Sequence, residues 1–250
     1  MQRDLKKINL EYELSEVDPW GSDWRGSLAL WHDYCIDKVL SSMDAASFAG
    51  RDITIADIGC GSGILTEKLY TSISNKFTIA QYNALDVSSA AIEKAKRIFS
   101  KTKVHYLTVS EDLHEISQNK YDVIFGFQFL SYLTQNERNK LFSTVKNILS
   151  ENGIAFFSSN VRSDGEDHAY LNSFELEKDI SNVFTIIDKT DLFTAQYVEN
   201  FEAKIFKYAK LSPIRSLLSS RVLPMKFHSY YSNRSTEQIP TKRMRMYILK

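Results

Sequence analysis

The stretch from residue 53 to residue 69 constrains this chain more than any other. Residues 53–58 are mostly apolar and have the length of a short buried strand. Gly59, Gly61 and Gly63 then open a turn, and Leu65 and Leu69 recur at the i, i+4 spacing of a helix that starts near Ser62 or Gly63. A strand, a glycine turn and a helix N-terminus together form a cradle. Glycine permits positive φ and lets a ligand press against bare backbone, and the first N–H groups of a helix have no partner within it. Spacing separates two uses of such a cradle. A dinucleotide fingerprint, G-x-G-x-x-G, sets its third glycine three residues after the second. Here that position is Ile64, and the glycine comes one residue early, at Gly63, so the pattern is Asp-x-Gly-x-Gly-x-Gly beginning at Asp57.

A second acid follows at the distance such a site requires. Residues 77–86 read as a strand that ends in Asp86, and Ser88 or Ser89 caps a helix over 90–99 with Ile92, Ala95 and Phe99 on one face. An acid at the carboxyl end of the second strand is placed to take both ribose hydroxyls of an adenosine. On these residues, the segment from 53 to about 157 resembles the core of a class I S-adenosylmethionine-dependent methyltransferase. The resemblance implies an α/β fold: a doubly wound, Rossmann-like, seven-stranded sheet with an antiparallel last strand. It implies S-adenosylmethionine as cofactor, with the glycine turn (Asp57, Gly59, Cys60, Gly61, Gly63) under the methionine and ribose, and Asp86, with Val87 beside it, on the ribose.

The rest of the core follows the same order. A third strand over 103–109 leads into Ser110, Glu111 and Asp112. In the family an Asp at this strand end accepts the adenine amino group. Ser110 holds that position here, so either Glu111 or Asp112 is expected near adenine, against the plainer reading of an exposed acidic loop. A fourth strand over 121–126 runs into Phe127, whose backbone the resemblance sets against the methionyl amino group, with Phe129 or Leu130 as a wall. Gln128, Ser131 and Tyr132 are then the polar groups nearest the methyl donor, and Tyr132 is a catalytic candidate or else a packed aromatic. Thr134 and Glu137 have capping-box spacing before a helix whose inner face is Leu141, Val145, Ile148 and Leu149. Asn152 and Gly153 end it, and 154–159 is a fifth strand; the alternation of strand and helix argues a doubly wound sheet.

The flanks carry weaker signals. Residues 1–50 form an N-terminal helical cap with a helix over 27–43. Trp20, Trp24 and Trp31 anchor it, or Trp20 faces the sulfonium, since ring faces attract cations. The core covers 51–192, and 241–250 brings the last strand, over 243–249. In the polar loop 162–168, His168 is a candidate general base oriented by Asp164 or Asp167, or the loop is simply solvated. Ser173 caps a helix to 181, and 183–188 reads as a sixth strand. Residues 193–240 form an insertion, helical over 202–218 and interrupted at Pro213, that is expected to act as a substrate lid. It is rich in lysine, arginine and aromatics. Its readings are an anionic or carrier-bound acceptor, an anionic lipid or nucleic-acid contact, or a solvated face.

Composition closes off other classes. Formal net charge is zero, so the whole molecule gives no steering argument, and no stable nucleic-acid partner is expected. No apolar run approaches the roughly 18 residues of a membrane span, and the N-terminus lacks the apolar stretch of a secretory signal. Two distant cysteines, Cys35 and Cys60, make no disulfide framework and point to a reducing cytoplasm. No metal-ligand spacing is present. The expected activity is O- or N-methylation of a small molecule, since no Asn-Pro-Pro-Tyr segment follows the fourth strand. The alternatives are a non-catalytic cofactor-binding protein and an NAD-dependent oxidoreductase. Ile64 and the lack of a Tyr-x-x-x-Lys pair count against the second of these.

Overall fold

The glycine turn lies at the centre of a twisted sheet. In the computed structural model the described residues are 10, 12–13, 26–46, 48–165, 170–194, 197, 200–201, 204, 208, 212–233 and 242–250. Strand β1 (Asp52–Ile58) lies between β2 (Thr78–Asp86) and β4 (Tyr121–Phe127), parallel to both. Strands β3 (His105–Thr108) and β5 (Leu149–Arg162) extend the parallel sheet on either side. The last strand, β8 (Lys242–Leu249), runs antiparallel between β5 and β7 (Ile186–Leu192), giving the order β3-β2-β1-β4-β5-β8-β7. This is the expected architecture with one addition: a two-residue strand, β6 (Leu171–Asn172), pairs parallel to the end of β5.

Side-chain alternation along the strands divides the core into two layers. Val123, Phe125 and Phe127 of β4 join Ile154 and Phe156 of β5 on one face, beneath α1 (Gly26–Ala45), α2 (Ile64–Ser74) and α3 (Ser89–Ile98). Ile124 of β4 joins Ala155 and Phe157 of β5 on the other, beneath α4 (Gln135–Ile148) and α5 (Ser173–Ser181). The period of two sends neighbouring residues to opposite faces, so strands covered on both sides read as continuous apolar runs. Helix α1 supplies Trp31, Cys35, Val39 and Met43, all fully buried. Its first residue is necessarily glycine: a Cβ on Gly26 would stand 2.1 Å from the carbonyl oxygen of Ser220 at the end of α6 (Ser212–Ser219).

Local signals place most boundaries, and neighbours move the rest. Ser88 is the cap of α3, its hydroxyl accepting from Ala91 N at 3.1 Å. Thr134 and Glu137 form the complete capping box. For α5 the cap is Asn172 rather than Ser173: the Asn172 side chain accepts from Phe174 N at 2.9 Å and Glu175 N at 3.3 Å, and Ser173 is already helical. Strand β3 is shorter than expected, since its ladder with β2 covers only residues 105–108. Strand β5 is longer, because Leu149 pairs with Tyr121 before the Asn152–Gly153 turn and β8 continues the ladder to Arg162. Strand β7 starts later than 183, because Phe184 N is held by Ile180 O at 2.9 Å and its ring is drawn into the core. Pro213 sits in the first turn of α6, where a missing N–H costs nothing. A further helix, α7 (Val222–Ser232), follows it, and the earlier part of the expected 202–218 helix falls largely outside the described residues.

Two arginines of β8 are neutralised within the fold. Arg245 forks onto Asp191 with Nε–Oδ1 2.5 Å and Nη2–Oδ2 2.7 Å, and also meets Glu177. Arg243 Nε lies 2.8 Å from Asp191 Oδ2. Among the described residues, no helix is long and apolar enough to cross a membrane and no cluster of potential metal ligands occurs.

Candidate active site

In open α/β sheets ligands sit beyond the carboxyl ends of the strands, at the point where the strand order reverses. Here that point is the gap between β1 and β4, and the chain leaving β1 builds a bare-backbone turn there. Gly59, Gly61 and Gly63 all have positive φ, at 73°, 55° and 82°. The amides of Gly59 and Cys60 donate to Leu85 O at 2.7 and 3.0 Å, which folds the turn onto the end of β2. Each glycine also faces a close neighbour. A Cβ on Gly59 would stand 2.7 Å from the Phe129 ring, on Gly61 2.8 Å from the Tyr12 hydroxyl, and on Gly63 2.6 Å from the Tyr106 hydroxyl.

Asp86 ties this turn to the next helix. One carboxylate oxygen accepts from Gly61 N at 2.9 Å and the other from Ser88 N at 2.8 Å. The two features singled out in the sequence, glycine turn and second-strand acid, therefore meet in a direct hydrogen bond. Asp57 lies behind the turn, buried, with Thr66 Oγ1 donating at 2.7 Å and the Tyr82 hydroxyl at 3.4 Å. Burial pushes its carboxyl up to about 6; the hydrogen bonds from Thr66 and Tyr82 oppose that shift, and the charge of Asp86 adds to it. Tyr106 donates to Glu67 Oε1 at 2.7 Å, and burial followed by that carboxylate pushes its phenol far up, so it stays a neutral donor. Burial likewise pushes the Cys60 thiol well up, with the charges of Asp86 and Asp57 adding to it.

A cavity of about 140 Å³ opens beside the turn. Gly59, Asp86 and Val87 form its floor, Val109, Glu111 and Leu113 one side, and Phe129, Tyr132 and Leu133 another. Glu137, Lys140 and Leu141 of α4 close it. Five expected residues, Gly59, Asp86, Val87, Glu111 and Tyr132, thus share one cavity. Asp57, Cys60, Gly61 and Gly63 build the adjoining turn without lining it.

Ser110 distinguishes Glu111 from Asp112, both of them exposed. Its hydroxyl donates to Asp112 Oδ1 at 2.7 Å and to Glu115 Oε2 at 2.8 Å, and its amide donates to Glu115 Oε1 at 3.0 Å. Asp112 is occupied in that exposed knot, the Ser110 hydrogen bond holding its carboxyl below the usual range, while Glu111 lines the cavity. The Phe127 side chain stacks on Phe125 with ring centroids 5.6 Å apart, leaving its backbone at the strand end. Asp164 pairs with Arg162 at 2.6 Å, whereas Trp20, His168 and Asp167 lie outside the described residues.

The backbone strain at Gln128, a residue expected near the methyl donor, and several further residues of the site had no sequence signal. Gln128 adopts φ 61°, with its amide on Ser158 O at 3.0 Å and Nε2 3.3 Å from Ser158 Oγ. A non-glycine residue held there costs about 1–2 kcal/mol, and such strain gathers at functional sites. Glutamine is no marker of positive φ, and Tyr12, Tyr106 and Lys140 reach the site only by tertiary packing.

Residues 55–153 match the family model described as a methyltransferase domain. The segment from β1 to the start of β5, with the glycine turn and Asp86, is therefore similar to a methyltransferase domain. Curated relatives include malonyl-[acyl-carrier protein] O-methyltransferase 2 of Ilyobacter polytropus, 30% identical over 158 residues, which are 62% of this chain and 54% of that protein. A malonyl-[acyl-carrier protein] O-methyltransferase of Bacillus anthracis is 33% identical over 154 residues, 60% of this chain and 53% of the relative. The chain thus spans about half the length of the curated relatives it matches. Among solved structures, a cyclopropane synthase of Mycobacterium tuberculosis superposes with a TM-score of 0.65 at 11% identity, covering 100% of this chain and 99% of the other. The N-methyltransferase NodS of Bradyrhizobium japonicum, bound to S-adenosylhomocysteine, gives 0.61 at 12% identity over 99% and 98% of the two chains. At such identities the likeness is one of fold. The family match ends at residue 153, so β7, residues 193–240 and β8 lie beyond what it covers.

Proposed function

We propose that this chain is an enzyme that transfers a methyl group from S-adenosylmethionine to a small-molecule acceptor. The observation that carries this reading is the hydrogen bond from Gly61 N to Asp86 beside the cavity floored by Gly59, Asp86 and Val87. The residues present fit the cofactor: the bare backbone of Gly59 and the carboxylate of Asp86 both line the cavity, where they would meet its methionine part and its ribose. Val87, Leu113 and Phe129 supply apolar surface for an adenine ring and Glu111 an acceptor for its amino group. The Phe127 backbone is assigned to the methionyl amino group, and Trp20 to the sulfonium.

Bound S-adenosylmethionine supplies an activated methyl group whose transfer leaves a neutral thioether. The protein's work is therefore alignment of acceptor and donor, which is worth several kcal/mol. Gln128, pinned to Ser158 in a strained conformation at the end of β4, is the polar group we assign to the acceptor side. A hydroxyl acceptor needs its proton removed, and His168 is the candidate recipient with Tyr132 a candidate hydrogen-bond partner, whereas a carboxyl acceptor is already ionised near neutral pH.

The relatives' names support a carboxylated acceptor carried on an acyl carrier protein, methylated on oxygen. Cys35 and Cys60 are both free thiols, which supports a reducing, cytoplasmic setting. Calorimetry with S-adenosylmethionine, S-adenosylhomocysteine and NAD, followed by turnover on free and carrier-bound carboxylic acids, tests the reading. Binding of NAD alone refutes it, and binding of S-adenosylmethionine without turnover on any acceptor reduces it to a cofactor-binding protein.

A further inference from the structure

The insertion ahead of β8 carries a charge and a surface that the cofactor site does not use. From residue 203 to residue 236 there are seven lysines and arginines and no aspartate or glutamate, in a chain of zero formal net charge. By sequence this stretch is therefore uniformly basic within a neutral protein.

Helix α7 within that segment is apolar on both faces. Its inner face is packed: His228 stacks on Phe193 with centroids 5.8 Å apart and meets Tyr34 edge-on, Phe227 meets Tyr197, and Pro224 is buried. On a surface helix the opposite face should be polar. Instead Val222, Met225 and Tyr230 are 58%, 54% and 52% exposed, with Leu223 and Leu217 of α6 also exposed. Lys226 is exposed among them, and Arg221 precedes them, held by Asp33 at 3.0 Å. The spacing of residues 222, 225, 226 and 229 puts aliphatic side chains and a cation on one outward stripe.

We infer that the outer face of α7, with Leu217 of α6, seats this protein on an anionic lipid bilayer. Charge complementarity selects the occupant, since every charged residue from 203 to 236 is a cation. The rest of the stripe is aliphatic and tyrosyl, with few groups that ask for a directional partner, as befits side chains that sink to the headgroup boundary while lysine and arginine meet lipid phosphates. The inference stands on this surface alone and is independent of methyl transfer.

Sedimentation of the full chain with phosphatidylcholine vesicles, with and without phosphatidylglycerol, tests it. The expected result is binding to the anionic vesicles only, weakening as salt is raised. Lys226→Glu lowers the partition coefficient by roughly tenfold or more, since each cation near such a surface counts for about fivefold and the reversal changes the charge by two. Val222→Asp combined with Met225→Asp removes binding, while circular dichroism and melting temperature stay those of the parent. No binding to anionic vesicles, equal binding to neutral ones, or binding indifferent to Lys226→Glu overturns the inference. So does ultracentrifugation showing a dimer that Met225→Asp disperses, or capture of an acidic carrier protein through this face without vesicle binding.

Discussion

Asp57 is a carboxylate that this fold holds at a cost, and Asp57→Asn measures that cost. Its pKa rises from 3.8 to about 6, mainly through burial. At about 1.4 kcal/mol for each pKa unit, the ionised form is disfavoured in the folded state by about 3 kcal/mol. The residue is 4% exposed, so solvent offers no screening. The sign follows from linkage: the folded state binds the proton more tightly than the unfolded chain does. Folding is therefore unpenalised below about pH 4, loses stability as pH rises toward 6, and is constant above that. Asparagine keeps an oxygen to accept from Thr66 and Tyr82 but cannot ionise. Urea unfolding of both proteins from about pH 4 to about pH 8 should show the variant gaining about 3 kcal/mol on the parent across that range. In thermal melts this amounts to roughly 6–12 °C for a chain of this size. Parallel stability curves for parent and variant across the range would refute the reasoning.

Four other perturbations probe the site and its supports. Asp86→Ala is expected to weaken S-adenosylhomocysteine binding by about 1–3 kcal/mol in calorimetry, because it removes the acceptor shared by Gly61 and Ser88; unchanged affinity contradicts its ribose role. Gly63→Ala forces φ 82° on an L-residue and brings a Cβ to 2.6 Å from the Tyr106 hydroxyl, so it should lower unfolding free energy by about 1–2 kcal/mol or more. Adding Tyr106→Phe should recover the part due to contact but not the part due to φ. Gln128→Gly relieves a positive φ and should leave stability equal or higher while turnover falls; undiminished turnover would make the strain purely structural. Thr134→Ala breaks the capping box and should cost about 1 kcal/mol in denaturant unfolding.

Features held within a few residues of one another were legible before any coordinates. The positive φ of Gly59, Gly61 and Gly63, the Ser88 cap and the Thr134–Glu137 box all depend on local backbone chemistry, and each stands where residue type and spacing put it. The apolar runs of β1, β4 and β5 likewise announced strands covered on both faces. What escaped was decided by partners distant in the chain. One exception is local: Ser110, bonded to Asp112 and Glu115 a few residues on, holds Asp112 in a knot outside the cavity that Glu111 lines. Arg243 and Arg245 look like surface cations until β7 brings Asp191 alongside them. The φ of Gln128 is imposed by Ser158 at the end of β5, and no property of glutamine foretells it. The chain alone thus determined the turn, the acid and the alternation of strands with helices, because these follow from periodicity, capping and glycine's freedom. The order of the strands in the sheet, which cations are neutralised and where the backbone is strained were left to tertiary contacts, since burial and charge pairing depend on segments that meet only once the sheet has closed.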